Sequence, residues 1–289
     1  MTNSLKIHGD IVLDSRHHKK KILVDVRYTD DHHKKPVVLF IHGFKGFKDW
    51  GHFNVLADEM ARAGYVFVKF NLSHNGTTPE HPSDFVDLDA FSENNFSIEL
   101  DDAGTVIDYL FSADCTISSS EMDTNKLFLM GHSRGGGLAL LKTAEDDRVM
   151  AVVTWAAVAD FNRWTKEVLK DWQQEEVKYI LNGRTGQEMP MKYQIVEDLE
   201  RNHDRLSISK AVSNLKKPVL VVHGTDDETV NANDAEKIHE LAKESALLLI
   251  DKANHVFGAS HPFNEDKLPY HAQLAFDRTL DFFESLRNI

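Results

Sequence analysis

The run Met130-Gly131-His132-Ser133-Arg134-Gly135-Gly136 constrains this chain more than any other feature. The apolar stretch Leu127-Phe128-Leu129 precedes it, and Leu138-Ala139-Leu140-Leu141 follows it. That order reads as a buried strand, a sharp turn and a helix, with a serine at the turn. Gly131-x-Ser133-x-Gly135 is the G-x-S-x-G pattern of a turn that presents a serine hydroxyl at the edge of a sheet. The serine of such a turn is held in a strained conformation. Its flanking glycines are needed because strand and helix approach too closely there for a Cβ.

The rest of the chain supplies the sheet that such a turn requires. Residues 5–13 and 20–28 alternate apolar and polar side chains around Arg16-His17-His18-Lys19, which reads as an antiparallel hairpin. Val37 to Ile41 is a continuous apolar run, the mark of a strand buried on both faces. Further strands are predicted at Tyr65 to Phe70, Leu127 to Met130, Val149 to Val158, Pro218 to Val222 and Ala246 to Ile250. Helical spacing falls between them, from Val55 to Ala63, Phe96 to Phe111, Leu138 to Ala144 and Asn233 to Lys243, with Asn231 or Asn233 as N-cap. Tyr270 to Leu286 reads as the last helix. Strands alternating with helices imply an α/β fold with a mostly parallel sheet.

One stretch breaks the rhythm. About fifty residues separate Asp160 from Ser209, where a simple crossover needs only a dozen or so. Trp164 to Tyr179 reads as a helix, Tyr179 to Tyr193 as a hairpin with an Asn182-Gly183 turn, and Ile195 to Arg201 as a second helix. This predicts a cap at residues 162–208, set between core segments 1–161 and 209–289.

A serine hydroxyl is a poor nucleophile unless a base lies within hydrogen-bond reach and a third group orients that base. In this topology the order is Ser, then Asp or Glu, then His. The strand ending at Val222 is followed by His223-Gly224-Thr225-Asp226-Asp227. The G-x-x-D spacing from Gly224 selects Asp227, with Asp226 as the adjacent alternative and Asp160 as a third. The last strand is followed by Ala253-Asn254-His255, which makes His255 the candidate base and His261 its near competitor. An oxyanion hole needs two backbone N–H groups. Arg134, directly after the serine, is expected to give one, and Phe44 in the His42-Gly43-Phe44 loop the other. His42 and His132 read as loop-bonding, structural residues. No metal spacing such as H-E-x-x-H occurs, and no cofactor is called for.

These four motifs, in this order, resemble the α/β-hydrolase superfamily from about Leu23 onward. Its branch of capped cinnamoyl and feruloyl esterases and serine-aminopeptidase-like hydrolases is the most similar. The resemblance implies an eight-stranded sheet covered by helices on both faces, with the cap after the sixth strand. It also implies Ser133 as nucleophile, His255 as general base and acid, and Asp227 as its orienter. The loop Asn71-Leu72-Ser73-His74-Asn75-Gly76 departs from the acidic Asp-x-x-Gly-x-Gly form common in these proteins.

The expected activity is hydrolysis of small or aromatic carboxylic esters. Phe47, Trp50, Trp164, Trp172 and Tyr179 are the candidate substrate-binding residues. Two rival readings stand beside it. Cleavage of peptides at a free amine would need an acidic pair in the cap, for which Glu175-Glu176 and Glu197-Asp198 are available. A non-catalytic ligand-binding protein would keep only the fold.

Composition trims the alternatives. Lys and Arg number 33 against 46 Asp and Glu, a formal net charge of −13. Such a surface disfavours nucleic acid and anionic membranes as partners. Cys115 is alone and cannot form an intramolecular disulfide. No run approaches the roughly 18 apolar residues that span a bilayer. Met1 to Asp10 has no apolar stretch of signal-peptide length. The expectation is a cytoplasmic protein acting on a small-molecule ester, with a homodimer left open.

Overall fold

The computed structural model describes residues 4–287. The chain begins with β1 (Ser4–Asp14), β2 (Lys21–Asp30), β3 (Lys35–Ile41), α1 (Phe53–Arg62) and β4 (Val66–Asn71). It continues through α2 (Leu88–Ser92), α3 (Phe96–Leu110), β5 (Met122–His132), α4 (Arg134–Glu145) and β6 (Val149–Trp155). An excursion follows, made of α5 (Lys166–Glu175), the hairpin β7 (Val177–Asn182) and β8 (Gln187–Lys192), α6 (Gln194–Arg201), α7 (His203–Leu206) and α8 (Ile208–Asn214). The chain then closes with β9 (Val219–Gly224), α9 (Ala232–Leu241), β10 (Ser245–Ile250) and α10 (Tyr270–Leu286).

Eight strands form one sheet in the order β1-β2-β4-β3-β5-β6-β9-β10. The pairings β1 with β2 and β2 with β4 are antiparallel, and the rest are parallel. This is the mixed α/β architecture that the alternating pattern predicts. β3 and β5 are neighbours, yet the chain leaves β3 toward β4 on one side and leaves β5 toward β6 on the other. Their C-terminal ends therefore flank the crevice where open α/β sheets bind ligands.

Burial explains the unbroken apolar runs. In β3, Val37, Leu39 and Ile41 pack into one core and Val38 and Phe40 into the other. In β5, Leu127 and Leu129 face the first core, Phe128 and Met130 the second. The first core is covered by α3, α4 and α9, the second by α1 and α10. Each such side chain contributes about 1.5–3 kcal/mol by leaving water.

The differences from the sequence pattern have local causes. The helix expected over Trp164 to Tyr179 stops at Glu175, where Glu176 takes φ 62. Val177 and Lys178 join Tyr179 in β7, where Tyr179 lies opposite Pro190 of β8 as part of the expected hairpin. The hairpin turn is not a two-residue Asn-Gly turn. Asn182 pairs with Gln187, leaving a loop of residues 183–186 in which Gly186 carries the positive φ of 70. β6 ends at Trp155 rather than Val158, because Ala156 turns to φ 50. The cap of α9 is Asn231, whose side chain accepts from the Asn233 amide. The short helices α2, α7 and α8 were not legible from periodicity.

Two glycines admit the turn at Ser133. A Cβ on Gly131 would stand 2.2 Å from the Gly135 carbonyl oxygen, and one on Gly135 would stand 2.2 Å from the Ile41 oxygen. Both obstacles are backbone and cannot swing away. Gly135→Ala is expected to destabilise the fold by about 3 kcal/mol or more, read from denaturant unfolding. A change below about 0.5 kcal/mol would show that strand and helix can separate cheaply.

Candidate active site

Ser133 follows β5 directly and has φ 58 and ψ −122, a strained conformation for a residue with a side chain. Its amide donates to the Trp155 carbonyl at 2.9 Å, and its carbonyl accepts from Gly136 at 3.0 Å. Backbone bonds on both sides thus hold the turn while Oγ projects into the crevice.

Loops after β9 and β10 bring two further groups to the same edge. His255 Nε2 lies 3.0 Å from Ser133 Oγ, and His255 Nδ1 lies 2.7 Å from Asp227 Oδ2. Asp227 is buried, and its Oδ1 accepts the Thr229 and Val230 amides at 2.8 Å each. Burial pushes the Asp227 carboxyl up. Hydrogen bonds from His223, His255 and the Val230 amide outweigh burial and hold it well below the usual carboxylate range. An ionised Asp227 fixes the tautomer: Nδ1–H donates to the carboxylate, leaving Nε2 free to accept from the serine hydroxyl.

The alternatives lie elsewhere. Asp226 is exposed and bonds to Thr225, and Asp160 is exposed and accepts the Asn162 amide. His261 Nδ1 accepts from the Gly51 amide at 3.0 Å and packs against Phe47 and Trp50.

The loop after β3 runs directly over Ser133. A Cβ on Gly43 would come within 2.9 Å of Ser133 Cβ. Among the described residues, no protein acceptor takes the Phe44 or the Arg134 amide. The Arg134 guanidinium turns away to lie 4.1 Å over the Phe44 ring, 5.0 Å from that of Phe96 and 3.3 Å from Glu99 Oε1. The unusual loop after β4 buttresses this one. Asn71 Oδ1 accepts the Lys48 amide at 2.7 Å, Asn75 Nδ2 donates to the Gly46 carbonyl at 3.2 Å, and the Leu72 amide reaches His42 Nε2 at 3.4 Å. His132 Nε2 donates to the His255 carbonyl at 2.8 Å, so it braces the neighbouring loop.

A cavity of about 240 Å³ contains Ser133 and His255, with Gly43, Phe44, Trp50 and Phe53 in its wall. A second cavity, about 160 Å³, lies across Phe44 and Arg134 and is lined mainly by Phe96, Phe161, Trp164, Ile180 and Met191, together with Asp160 and Arg163. Larger surface hollows, such as one of about 400 Å³ between α4 and α8, do not contain Ser133.

Of the five candidate substrate-binding side chains, Trp50 lines the first cavity and Trp164 the second. The other three correct the sequence reading. Phe47 is fully buried against Phe85 and His261. Trp172 is buried, packs against Trp164 and Tyr193 and donates to the Met191 carbonyl, so it belongs to the excursion's own small core. Tyr179 points into solvent at 61% exposure. Phe96 and Phe161, stacked with centroids 4.2 Å apart, were missed because nothing local marks them as neighbours. Glu175, Glu176 and Glu197 are exposed, and Asp198 accepts the Ser97 amide at the start of α3. None of these four lines either cavity. The one grouping with metal-ligand spacing among the described residues is Asp30, His32 and Glu121, at the opposite ends of the strands. Lys35 already pairs with Glu121 there at 2.8 Å. No helix among the described residues is long and apolar enough to cross a membrane.

A family model described as the dienelactone hydrolase family matches residues 25–287. No curated protein matches the sequence. Solved structures share the fold. Est1E from Butyrivibrio proteoclasticus, with ferulic acid bound, superimposes at a TM-score of 0.69 and 18% identity, over 95% of this chain and 98% of that one. The esterase domain of a Rhodothermus marinus protein gives 0.62 at 17% identity, over 97% and 98% of the two chains. The acylaminoacyl peptidase of Pyrococcus horikoshii gives 0.65 at 15% identity, covering 98% of this chain but 42% of its own.

The buried histidines of the site give a pH dependence. Burial pushes His42 and His52 down to about 4 and His132 to about 3. Below about pH 6.5 the unfolded chain therefore binds more protons than the folded one, and stability falls as pH drops toward 4. His74, also pushed down to about 4 by burial, adds to this, while Asp102, pushed up to about 6 by burial, opposes it as a single group against four. The urea midpoint is expected to fall between pH 7 and pH 5, and a rise over that interval would contradict neutral buried imidazoles.

Proposed function

The chain belongs to the dienelactone hydrolase family, and on that premise we propose a serine hydrolase that cleaves carboxylic esters through an acyl-enzyme. A lactone is a cyclic ester, so the family name itself describes ester cleavage. The observation that carries the reading is the unbroken chain Ser133 Oγ, His255, Asp227 at 3.0 and 2.7 Å, opening into a cavity.

In the proposed mechanism Ser133 Oγ attacks the ester carbonyl as His255 Nε2 takes its proton. The carbonyl oxygen becomes negative and is met by the Phe44 and Arg134 amides, whose lack of protein acceptors supports this role. Such a donor contributes on the order of 3 kcal/mol to the transition state. Asp227 stabilises the imidazolium. His255 then protonates the departing alkoxide, and the carbonyl re-forms as the acyl-enzyme. Water repeats the sequence, with His255 again as base, and releases the acid with Ser133 restored.

The leaving alcohol must lie where His255 can reach its oxygen, in the cavity His255 lines. The acyl group then extends across Phe44 into the cavity of Phe96, Phe161 and Trp164. That lining supports an aromatic or apolar acyl group, as does the fold's likeness to a protein solved with ferulic acid. Residues 162–208 act in this reading as a cap, since Trp164, Ile180 and Met191 close the acyl cavity. The peptidase alternative lacks support, because no acidic pair lines either cavity.

A panel of esters, from acetyl to hydroxycinnamoyl, tests the reading. Ser133→Ala is expected to cut turnover by at least about a thousandfold, and Asp227→Asn by a similar factor. Activity is expected to peak with aromatic acyl groups, and Phe161→Ala to raise KM for those esters selectively. Wild-type turnover in Ser133→Ala would refute the nucleophile.

A further inference from the structure

His223 is the last side chain of β9 and is wholly buried. Its Nε2 lies 2.9 Å from the Val230 carbonyl oxygen and 3.2 Å from Asp227 Oδ2. Asp227 Oδ2 is also the atom that His255 Nδ1 approaches to 2.7 Å. Two imidazoles therefore meet one carboxylate oxygen, and only His255 takes part in the acyl transfer. Both neighbours of His223 Nε2 are acceptors, whereas its Nδ1 is buried with no partner among the described residues. A buried N–H without an acceptor is costly, so the proton of this ring belongs on Nε2. There it serves the Val230 carbonyl and the Asp227 carboxylate together. The ring also stands on firm ground. β9 is paired on both sides, with β6 and with β10, where Leu249 lies opposite His223. The loop that leaves β9 carries Asp227 and brings Val230 back to the same ring, so one N–H from the sheet reaches both the middle and the end of that loop.

We propose that His223 is a positioning residue for the reaction at Ser133: its Nε2–H fixes Asp227 Oδ2 and draws negative charge away from the atom that faces His255. This rests on the serine-hydrolase reading of the same site. Oδ1 already accepts the Thr229 and Val230 amides, so four N–H groups share one negative charge. Each donor makes the carboxylate a weaker base toward the others. Without His223, Asp227 grips the His255 imidazolium more tightly, and His255 becomes a slower acid toward the departing alkoxide. His255 then also stays protonated to a higher pH and is a base only above it. The other groups around the pair are accounted for. His132, with its ring centroid 4.9 Å from that of His255, and His52 beside it are pushed by burial to about 3 and about 4, so both are neutral above pH 5. Lys45 and Arg184 line the cavity with His255, and Arg163 reaches the Thr229 carbonyl at 3.5 Å while pairing with Asp234. Asp226 and Glu228 are exposed. Substitution at 223 changes none of these groups.

The test compares His223→Met with His223→Gln. Met removes the N–H and fills the space, while Gln carries an N–H at the same number of bonds from Cα as His Nε2. The readout is the pH profile of kcat/KM between pH 5 and 9, on the ester that the wild type cleaves fastest. The acid limb of His223→Met is expected about half to one pH unit above that of the wild type, and that of His223→Gln close to the wild type. A merely structural role would lower kcat/KM by the same factor at every pH. An unmoved acid limb in His223→Met, or a limb displaced equally in His223→Gln, would overturn the proposal. A second readout needs neither turnover nor a folded Met variant. Nitrogen-15 spectra of the wild type are expected to show His223 with a bare Nδ1 and a proton on Nε2, and a proton on Nδ1 would overturn it. If no ester turns over, the hydrolase reading fails, and the contact is judged by the proton resonance of His255 Nδ1–H. That signal is expected to move downfield in His223→Met, as Asp227 becomes the stronger acceptor, and to return in His223→Gln. A signal unmoved by loss of the His223 N–H would overturn the contact as well.

Discussion

The close approach of β5 to α4 governs this molecule. Glycine at 131 lets β5 meet α4, glycine at 135 lets α4 meet the end of β3, and this packing holds Ser133 at φ 58. Strain of that kind costs about 1–3 kcal/mol and survives because the surroundings over-determine it. The surroundings here are strands buried on both faces, with cores on either side of the sheet. The sheet order then does the rest. Because β3 lies beside β5, the loop after β3 passes over Ser133, and the loops after β9 and β10 arrive along the same edge.

Electrostatics sharpens what the topology assembles. Asp227 is the buried carboxylate that orients His255, and it stays ionised because amides and imidazoles supply hydrogen bonds that water would otherwise give. The two histidines nearest the turn do the opposite work. His42 and His132 are kept neutral by burial and spend their hydrogen bonds on loops: His42 on Gly43 and Leu72, His132 on the carbonyl of His255. Three histidines within one crevice thus have different duties, set by whether a carboxylate faces them.

Much of this was legible in the sequence, for reasons that differ by element. Val37 to Ile41 and Leu127 to Met130 read as strands because both faces are buried there, which leaves no polar residue to break the run, whereas the polar start of β5 at Asp123 to Lys126 gave no such signal. Ser133 and His255 were marked by their place after strands. Spacing from Gly224 favoured Asp227 over Asp226, and the path of the loop after β9 turns Asp227 inward and leaves Asp226 exposed. The excursion was read least well. The helix pattern runs on through Val177 and Lys178 to Tyr179, where the hairpin pattern begins, and pairing of β7 with β8 gives all three residues to the hairpin. The aromatic lining went the same way. Trp172 looked available to a ligand but fills a small core, while Phe96 and Phe161 meet across the sheet's edge from distant parts of the chain. Large rings in a sequence announce burial, not what they are buried against.

The central claim is that Ser133 is an activated nucleophile. The most direct measurement is fluorophosphonate labelling of the full chain, followed by peptide mass spectrometry to locate the adduct. One adduct, on Ser133, formed in the wild type and strongly slowed in His255→Ala, is the expected result. An adduct on another serine, no adduct at all, or labelling of Ser133 at the same rate without His255 would contradict the account.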